Sequence, residues 1–313
     1  MISHYEIFRI LYLNQIIIGV LGNSFLIFLY SFNLITNQKI KPIILILIHL
    51  LFTNIIFLLF RGIPKIIEFW SLNYFVDYTA SKIISYLQRV TRGLSLCSSC
   101  LLSVFQAITI SPSSSRWAEI KAKVPKYVLA CSLLCWICNL LMDLVVPVYG
   151  ADSSNTTYSN KRWQIGFSAL DLYPTKTLLF LIWKFVYDFM FVGLMAITNG
   201  YMTFVFYRHH QKIQNIQVTS LFHRSSPEVQ ATKTILLLAS TFVIFNLVSS
   251  TFMIYMTFTK VVSSVMLNVS AFLSLCFPTI SPFILLKCDS KITRSCCIYR
   301  GINKLSLNPK LKP

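Results

Sequence analysis

The stretch that decides the fold is YLQRVTRGLSLCSSCLLSVFQAITI, residues 86–110. It is apolar and long enough to cross a bilayer, for which an α-helix needs about 20 residues. It nevertheless carries Arg89 and Arg92, about one helical turn apart. An arginine that faces lipid at the middle of a bilayer costs at least about 2.5 kcal/mol. If this stretch is a membrane helix, both arginines must therefore face the interior of a protein bundle.

The composition indicates a membrane protein. Of 313 residues, 55% are hydrophobic and 12% are charged, whereas a soluble domain has about 25% charged residues. The mean hydropathy is +0.66, and the hydrophobic residues are grouped into long runs. We therefore predict an all-α membrane protein, a seven-transmembrane helix bundle over 1–286 followed by a basic tail at 287–313. The predicted spans, of which the third and fifth are longer than a bilayer requires, are 10–34, 42–60, 83–110, 127–147, 177–207, 234–259 and 261–286.

The lysines and arginines predict the orientation of these spans. Most of the 28 basic residues fall in segments that are cytoplasmic if the N-terminus is extracellular, as the positive-inside rule requires. We therefore expect an extracellular N-terminus and a cytoplasmic C-terminus. The net charge of +18 then reflects topology and attraction to anionic lipid. Because the basic residues are scattered between spans, we expect no nucleic-acid partner.

The sequon Asn155-Thr156-Thr157 lies in the predicted second extracellular loop, where glycosylation is possible. The alternative is that this sequon is unused. A second match at Asn268 lies inside the seventh span, and we expect it to be silent.

Several strings resemble one receptor family. GVLGNSFLIFLY (19–30) resembles the first helix of rhodopsin-like receptors. Four further strings resemble vomeronasal type-1 receptors more specifically. They are YLQRVTRGLSLCSSCLLSVFQAITISPSSSRW (86–117), HRSSPEVQATKTILLLASTFV (223–243), CFPTISPF (276–283) and RGIP (61–64). The strings fall in different spans in the expected order, and the resemblance covers nearly the whole chain.

The resemblance implies a G-protein-coupled chemosensory receptor for small pheromone-type molecules. It implies a multi-pass protein of the cell membrane of vomeronasal sensory neurons that activates an inhibitory-class heterotrimeric G protein. The segment before the first span is short, so we expect the ligand to enter the bundle itself. One alternative is a bitter-taste-like receptor. Another is a seven-span transporter, which would require internal repeats that the sequence does not show.

The chain departs from general rhodopsin-like motifs at several positions. Gln106 stands where most such receptors have the arginine of an acid-Arg-Tyr triplet, and Asn54 replaces the usual sodium-site aspartate. We expect Asn23 and Asn54 to hydrogen-bond each other across two helices. Pro278 and Pro282 lie one turn apart and favour a bend in the last helix.

The cysteines indicate no extracellular disulfide. Relatives in the resembled family have a cysteine before the third helix and another in the second extracellular loop, where this chain has Ser81 and Ser168. Cys97 and Cys100 have the spacing of a C-x-x-C motif, but small residues in an apolar helix are typical of close helix packing. We expect no metal, no cofactor and no enzymatic activity.

Palmitoylation is possible at Cys288, Cys296 and Cys297, in a basic juxtamembrane segment; the alternative is that these are free thiols.

The charges inside the predicted spans are the candidate ligand-binding residues. These charged residues lie at a similar depth in the outer half of the bundle, and Gln88 is a neighbouring amide. The candidates are Gln88, Arg89, Arg92, Asp143, Lys184 and Asp188. Lys184 and Asp188 are spaced i, i+4 and are expected to pair with each other. An arginine here could form an interhelical salt bridge to Asp143 or Asp188, or it could contact an acceptor group of a ligand. We expect Arg89, nearer the opening, to be the better ligand candidate, and Arg92 to have the structural role.

At the other end, short basic and hydroxyl-rich segments are the candidate G-protein contacts. The residues are Ser111, Arg116, Lys121 and Lys233. The alternative is that these cations serve only topology and lipid contact.

Overall fold

The computed structural model describes residues 4–37, 42–69, 78–111, 115–144, 164–165, 168–169, 174–216, 227–258 and 264–288. These residues form seven α-helices and a small hairpin. The helices are α1 (His4–Asn37), α2 (Pro42–Phe69), α3 (Tyr78–Ile110), α4 (Ser115–Asp143), α5 (Pro174–Ile216), α6 (Pro227–Phe258) and α7 (Ser264–Cys288).

The seven described helices overlap the seven predicted spans in order, which confirms the predicted helix bundle. Six of them are long and apolar enough to cross a membrane, and the described part of α6 has a shorter apolar stretch, Leu236–Ser249. α3 has 33 residues and α5 has 43, or about 50 and 65 Å at 1.5 Å per residue. Both exceed the roughly 30 Å of a bilayer core, as predicted, but so do the other described helices, the shortest of which has 25 residues.

A two-stranded hairpin lies between α4 and α5 and was not predicted. β1 (Gln164–Ile165) pairs antiparallel with β2 (Ser168–Ala169), with Ile165 opposite Ser168. Strand β2 contacts α3. The position of Ser168 is therefore close to the helix that carries Ser81, although the side chain of Ser81 lies outside the described part of the structure. The cysteines among the described side chains are free.

Helix α3 is the centre of the bundle because it contacts α2, α4, α5 and α6. In its apolar window 67% of the residues are buried, against 17% in α4 and in α5. The side chains of α4 and α5 that point away from α3 are large and apolar, among them Leu133, Ile137, Phe189 and Ile197. Such side chains are stable against lipid tails.

Gly93 allows α3 and α4 to approach closely. A methyl group at this position would overlap the side-chain amide of Asn139 in α4. Asn139 is fully buried, and its Nδ2 donates to the carbonyl oxygen of Cys135 at 2.8 Å. The small residue in α3 therefore makes room for a polar side chain of α4 at the interface.

The two asparagines expected to bond each other both bind α7 instead. Asn23 Nδ2 donates to the carbonyl oxygen of Pro278 at 2.8 Å. Asn54 Nδ2 donates to Ser281 Oγ at 3.0 Å, and its Oδ1 accepts from Ser95 Oγ at 3.1 Å. The prediction was wrong for a definite reason. Pro282 has no backbone N–H, so the carbonyl of Pro278, four residues earlier, lacks its usual backbone donor. It accepts instead from Asn23 at 2.8 Å and, at 3.4 Å, from Ser281 Oγ of its own helix.

Candidate ligand-binding site

Two interhelical ion pairs lie at the N-terminal end of the bundle, the end where α1, α3, α5 and α7 begin and α2, α4 and α6 finish. They join α3, α4 and α5. Their four residues are all among the predicted candidates. The bridge between Arg92 and Asp188 is one of the interhelical pairs that the sequence offered, whereas the partner of Lys184 differs from the prediction.

The first pair joins α5 to α4. Lys184 Nζ donates to Asp143 Oδ2 at 3.0 Å. The Asp143 side chain is completely buried and that of Lys184 is 17% exposed. Lys184 Nζ also lies 5.3 Å from the centre of the Tyr187 ring, a distance at which an aromatic face attracts a cation.

The second pair joins α3 to α5. Arg92 Nη2 lies 3.5 Å from Asp188 Oδ2, and the two side chains are 31% and 20% exposed. The prediction that Lys184 and Asp188 pair within α5 was wrong. Each instead pairs across helices, because neighbouring helices present an opposite charge inside the bundle, where unpaired charges are costly.

Arg89 and Gln88 lie on either side of this arrangement. Arg89 is half-buried and within electrostatic range of Asp143, Arg92 and Arg61. Gln88 bridges α3 and α2: its Nε2 donates to the carbonyl oxygen of Phe60 at 2.6 Å, and its Oε1 accepts from Arg61 Nη1 at 3.2 Å. Both functional groups of the Gln88 amide are therefore used in holding α2 against α3.

A small cavity opens beside Arg92, between α3, α6 and α7. Its volume is about 30 Å³, which is room for a few water molecules. Arg92 is the charged residue in its lining, and Arg89 is not part of that lining. The geometry therefore gives Arg92 the position that we expected for Arg89. The remaining lining residues are Phe57, Ser95, Phe242, Phe245, Asn246, Ser249, Leu273, Ser274, Phe277 and Pro278.

The uncharged walls of this cavity were not predicted from the sequence. On α6 the lining residues Phe242, Phe245, Asn246 and Ser249 have the spacing i, i+3, i+4, i+7, which places them on one helical face. That face carries two aromatic rings and two polar side chains. Such a mixed face was the available signal in the sequence for a face turned away from lipid, because a face that met only lipid would be apolar.

The other predicted sites lie mostly outside the described part of the structure. Ser111 is described: its Oγ is 2.9 Å from Tyr201 Oη, which links the end of α3 to α5. Arg116, Lys121 and Lys233 belong to α4 and α6, and Cys288 is the last residue of α7, but their side chains lie outside the described residues. Asn155, Cys296 and Cys297 lie wholly outside them. Asn268, the sequon expected to be silent, is buried in α7, where its Oδ1 accepts from Lys65 Nζ at 3.5 Å.

A family model matches most of the chain. The model described as "Vomeronasal organ pheromone receptor family" matches residues 6–298. The chain belongs to this family. It is 36% identical to human vomeronasal type-1 receptor 4 over 290 residues. This alignment covers 92% of this chain and 96% of the relative. It is 35% identical to gorilla vomeronasal type-1 receptor 1, over 96% of this chain and 86% of the relative.

The fold of this vomeronasal receptor chain is that of rhodopsin. Squid rhodopsin matches with a TM-score of 0.70 at 14% identity, over 94% of this chain and 80% of that one. The chain is therefore a multi-pass membrane protein with the seven-transmembrane fold, and it belongs to a family of chemosensory G-protein-coupled receptors rather than to an enzyme class. Family membership also removes the bitter-taste and transporter alternatives.

Proposed function

We propose that this vomeronasal receptor detects small pheromone-type molecules that bind at the N-terminal end of the bundle and that it signals through an inhibitory-class heterotrimeric G protein. We further propose that it acts at the surface of vomeronasal sensory neurons. Family membership supports the receptor class, and the geometry at the two ends of the bundle supports the ligand and G-protein sites.

The position of Arg92 is the observation that carries the ligand site. Its guanidinium is partly exposed in a bundle interior and borders a cavity with the rings of Phe57, Phe242 and Phe277. Ligand sites are typically concave, mostly apolar and furnished with a few polar groups that fix orientation. Arg92 supplies donors for an acceptor such as a carboxylate, a sulfate or a carbonyl. Asn246, on the α6 side of the cavity, supplies a further polar group.

The size of the cavity constrains how a ligand enters. Pockets that hold small molecules have volumes of about 300–1,000 Å³, far larger than the space beside Arg92. A ligand must therefore displace side chains of α6 or α7 as it binds. Since α6 and α7 form one wall of this space, binding would act directly on the position of these helices relative to α3.

The charge at this end favours a ligand with a negative or electron-rich group. The described side chains of α2 to α5 at this end include six cations, against the two aspartates of the ion pairs. The cations are Arg61, Lys65, Lys82, Arg89, Arg92 and Lys184. Low-dielectric walls concentrate the field of such an excess. The local potential would attract acidic molecules and repel amines.

The opposite end is the proposed G-protein site. Ser111 and Tyr201 meet there, and α4 and α6, which carry Arg116, Lys121 and Lys233, begin there. With the N-terminus outside the cell, as the loop charges favour, this end faces the cytoplasm.

The experiment is a nucleotide-exchange assay on membranes that contain the receptor and one purified G protein at a time. Fractionated animal secretions are the stimulus. We expect at least one fraction to increase exchange on the inhibitory-class α-subunit and not on the stimulatory-class α-subunit. Activation confined to the stimulatory class, or no activation by any fraction at confirmed surface expression, would contradict the proposal.

A further inference from the structure

The two ion pairs of the site are not equivalent. Asp143 is completely buried and accepts from Lys184 at 3.0 Å, so this pair could open only by exposing a buried carboxylate to an apolar interior. The pair between Arg92 and Asp188 is longer, at 3.5 Å, and both of its side chains are partly exposed. Separating Arg92 from Asp188 therefore costs much less. Arg92 is also the member that borders the cavity.

A second cation is positioned to take over Asp188. Lys184 precedes Asp188 by four residues on α5, a spacing at which a lysine and an aspartate can meet. The ammonium group of Lys184 has three donors, and its described hydrogen bond goes to Asp143. Lys184 can therefore hold Asp143 and receive Asp188 with a change of the Asp188 rotamer.

We propose that Asp188 is an exchangeable counter-ion: in the free receptor it occupies Arg92, and a small molecule with an anionic group and an apolar body displaces it onto Lys184. This proposal rests on the proposed function, since it uses the same cavity. The anion would be gripped by the guanidinium with two parallel hydrogen bonds, and the apolar body would lie against Phe242 and Phe277.

The exchange makes the site selective for charge. A carboxylate or sulfate replaces Asp188 on Arg92 with a bond of the same kind, so little electrostatic energy is lost. A neutral acceptor would exchange a charged partner of Arg92 for an uncharged one. An amine would be repelled by Arg92 and Lys184 together. Asp188 therefore determines specificity by competing with the ligand for Arg92.

Thermal unfolding of the purified receptor in lipid discs tests this proposal with two probes, 2-naphthoate and its methyl ester. A compound that binds the folded state raises the unfolding midpoint according to its Kd. We expect the Asp188→Asn receptor to bind 2-naphthoate at least about tenfold more tightly than the parent, because the internal competitor is gone. The ester should bind no more tightly to Asp188→Asn than to the parent. The control variant Asp188→Glu keeps the competitor and should bind the acid within about threefold of the parent.

The result is decisive in either direction. Equal affinity of the parent and Asp188→Asn for 2-naphthoate, an equal gain for the ester, or no shift in either protein at millimolar probe would overturn the proposal. A gain that persists in the double variant Arg92→Met/Asp188→Asn would also overturn it, since the anion would then bind elsewhere. The readout involves no G protein, so failure of the exchange assay above would refute the signalling proposal without touching this one.

Discussion

At the scale of single residues, the most constrained group is the carboxylate of Asp143. It is completely buried, and one oxygen accepts from Lys184. The other oxygen, Oδ1, has no hydrogen-bond donor among the described residues, although Arg89 lies within electrostatic range. A buried anion with a single donor depends strongly on that donor.

Replacing Lys184 should therefore destabilise the receptor. We expect Lys184→Met to lower the free energy of unfolding by about 3 kcal/mol, because it leaves Asp143 charged and without its hydrogen-bond donor. Thermal unfolding and surface abundance measure the effect. The double variant Lys184→Met/Asp143→Asn should recover much of the loss, since the stranded charge is gone. If the double variant is as unstable as the single one, Lys184 acts through packing and not through Asp143.

Gly93 offers a second test at this scale. We expect Gly93→Ala to cost about 1–3 kcal/mol, because the added methyl group must push the Asn139 amide out of a packed interface. Gly193→Ala is the matched control, since a methyl group there meets nothing within 4 Å. The control should be neutral or slightly stabilising in a helix. Equal thermal midpoints for the two variants would contradict the close approach of α3 and α4.

At the scale of elements, the two prolines of α7 explain the polar contacts of α1. Each proline removes one backbone donor from the helix, and the carbonyl of Pro278 is satisfied from α1 by Asn23. The sequence showed both the prolines and the asparagine. Helix α1 packs against both α2 and α7, so an amide of α1 can meet either helix. The rotation of each helix about its axis decides which one Asn23 contacts, and that rotation depends on the packing of the entire bundle.

Loss of the Asn23 amide should weaken the contact between α1 and α7. We expect Asn23→Ala to cost about 1–3 kcal/mol in stability, since it leaves the buried carbonyl of Pro278 with only the longer hydrogen bond from Ser281 Oγ, at 3.4 Å. Asn14→Ala serves as the control on the exposed face of the same helix and should change the midpoint little. A loss in Asn14→Ala as large as that in Asn23→Ala would show that the effect is not specific to the proline carbonyl.

The packing of the bundle also decides which arginine borders the cavity. The sequence favoured Arg89, whereas the structure places Arg92 there. The cost of charge in lipid predicted from the sequence that both arginines face the interior. They are three residues apart, which corresponds to about 60° around a helix axis. Which of them borders a cavity depends on where α6 and α7 pack around α3, and depth along the helix carries no information about that direction.

At the scale of the whole molecule, the fold followed from composition and hydrophobic runs, because every backbone polar group in lipid must be bonded within a helix or a closed barrel. The seven described helices and the rhodopsin-like match agree with that inference. The hairpin between α4 and α5 did not follow from it. Strands of two residues are too short to leave a periodic pattern in the sequence.

The proposed orientation makes a prediction about Asn155. If the N-terminus is extracellular, the connection between α4 and α5 is also extracellular, and Asn155 meets the glycosylation machinery. We expect treatment with an N-glycosidase to increase the gel mobility of the parent and to leave Asn155→Gln unchanged. Asn268→Gln is the control and should behave like the parent in mobility, because Asn268 is buried in α7. A glycosidase-sensitive Asn155→Gln would contradict the assignment of this site.

The central claim is that ligands contact Arg92 in the cavity between α3, α6 and α7. It is tested most directly by the agonist dose response of Arg92→Lys and Arg89→Lys at equal surface abundance, using the first compound that activates the parent. Lysine keeps the charge but loses the planar guanidinium that binds an acceptor with two hydrogen bonds. We predict that Arg92→Lys raises the half-maximal concentration by at least about tenfold, equivalent to about 1.4 kcal/mol, whereas Arg89→Lys changes it by less than about threefold. A large shift in Arg89→Lys with none in Arg92→Lys would contradict the account.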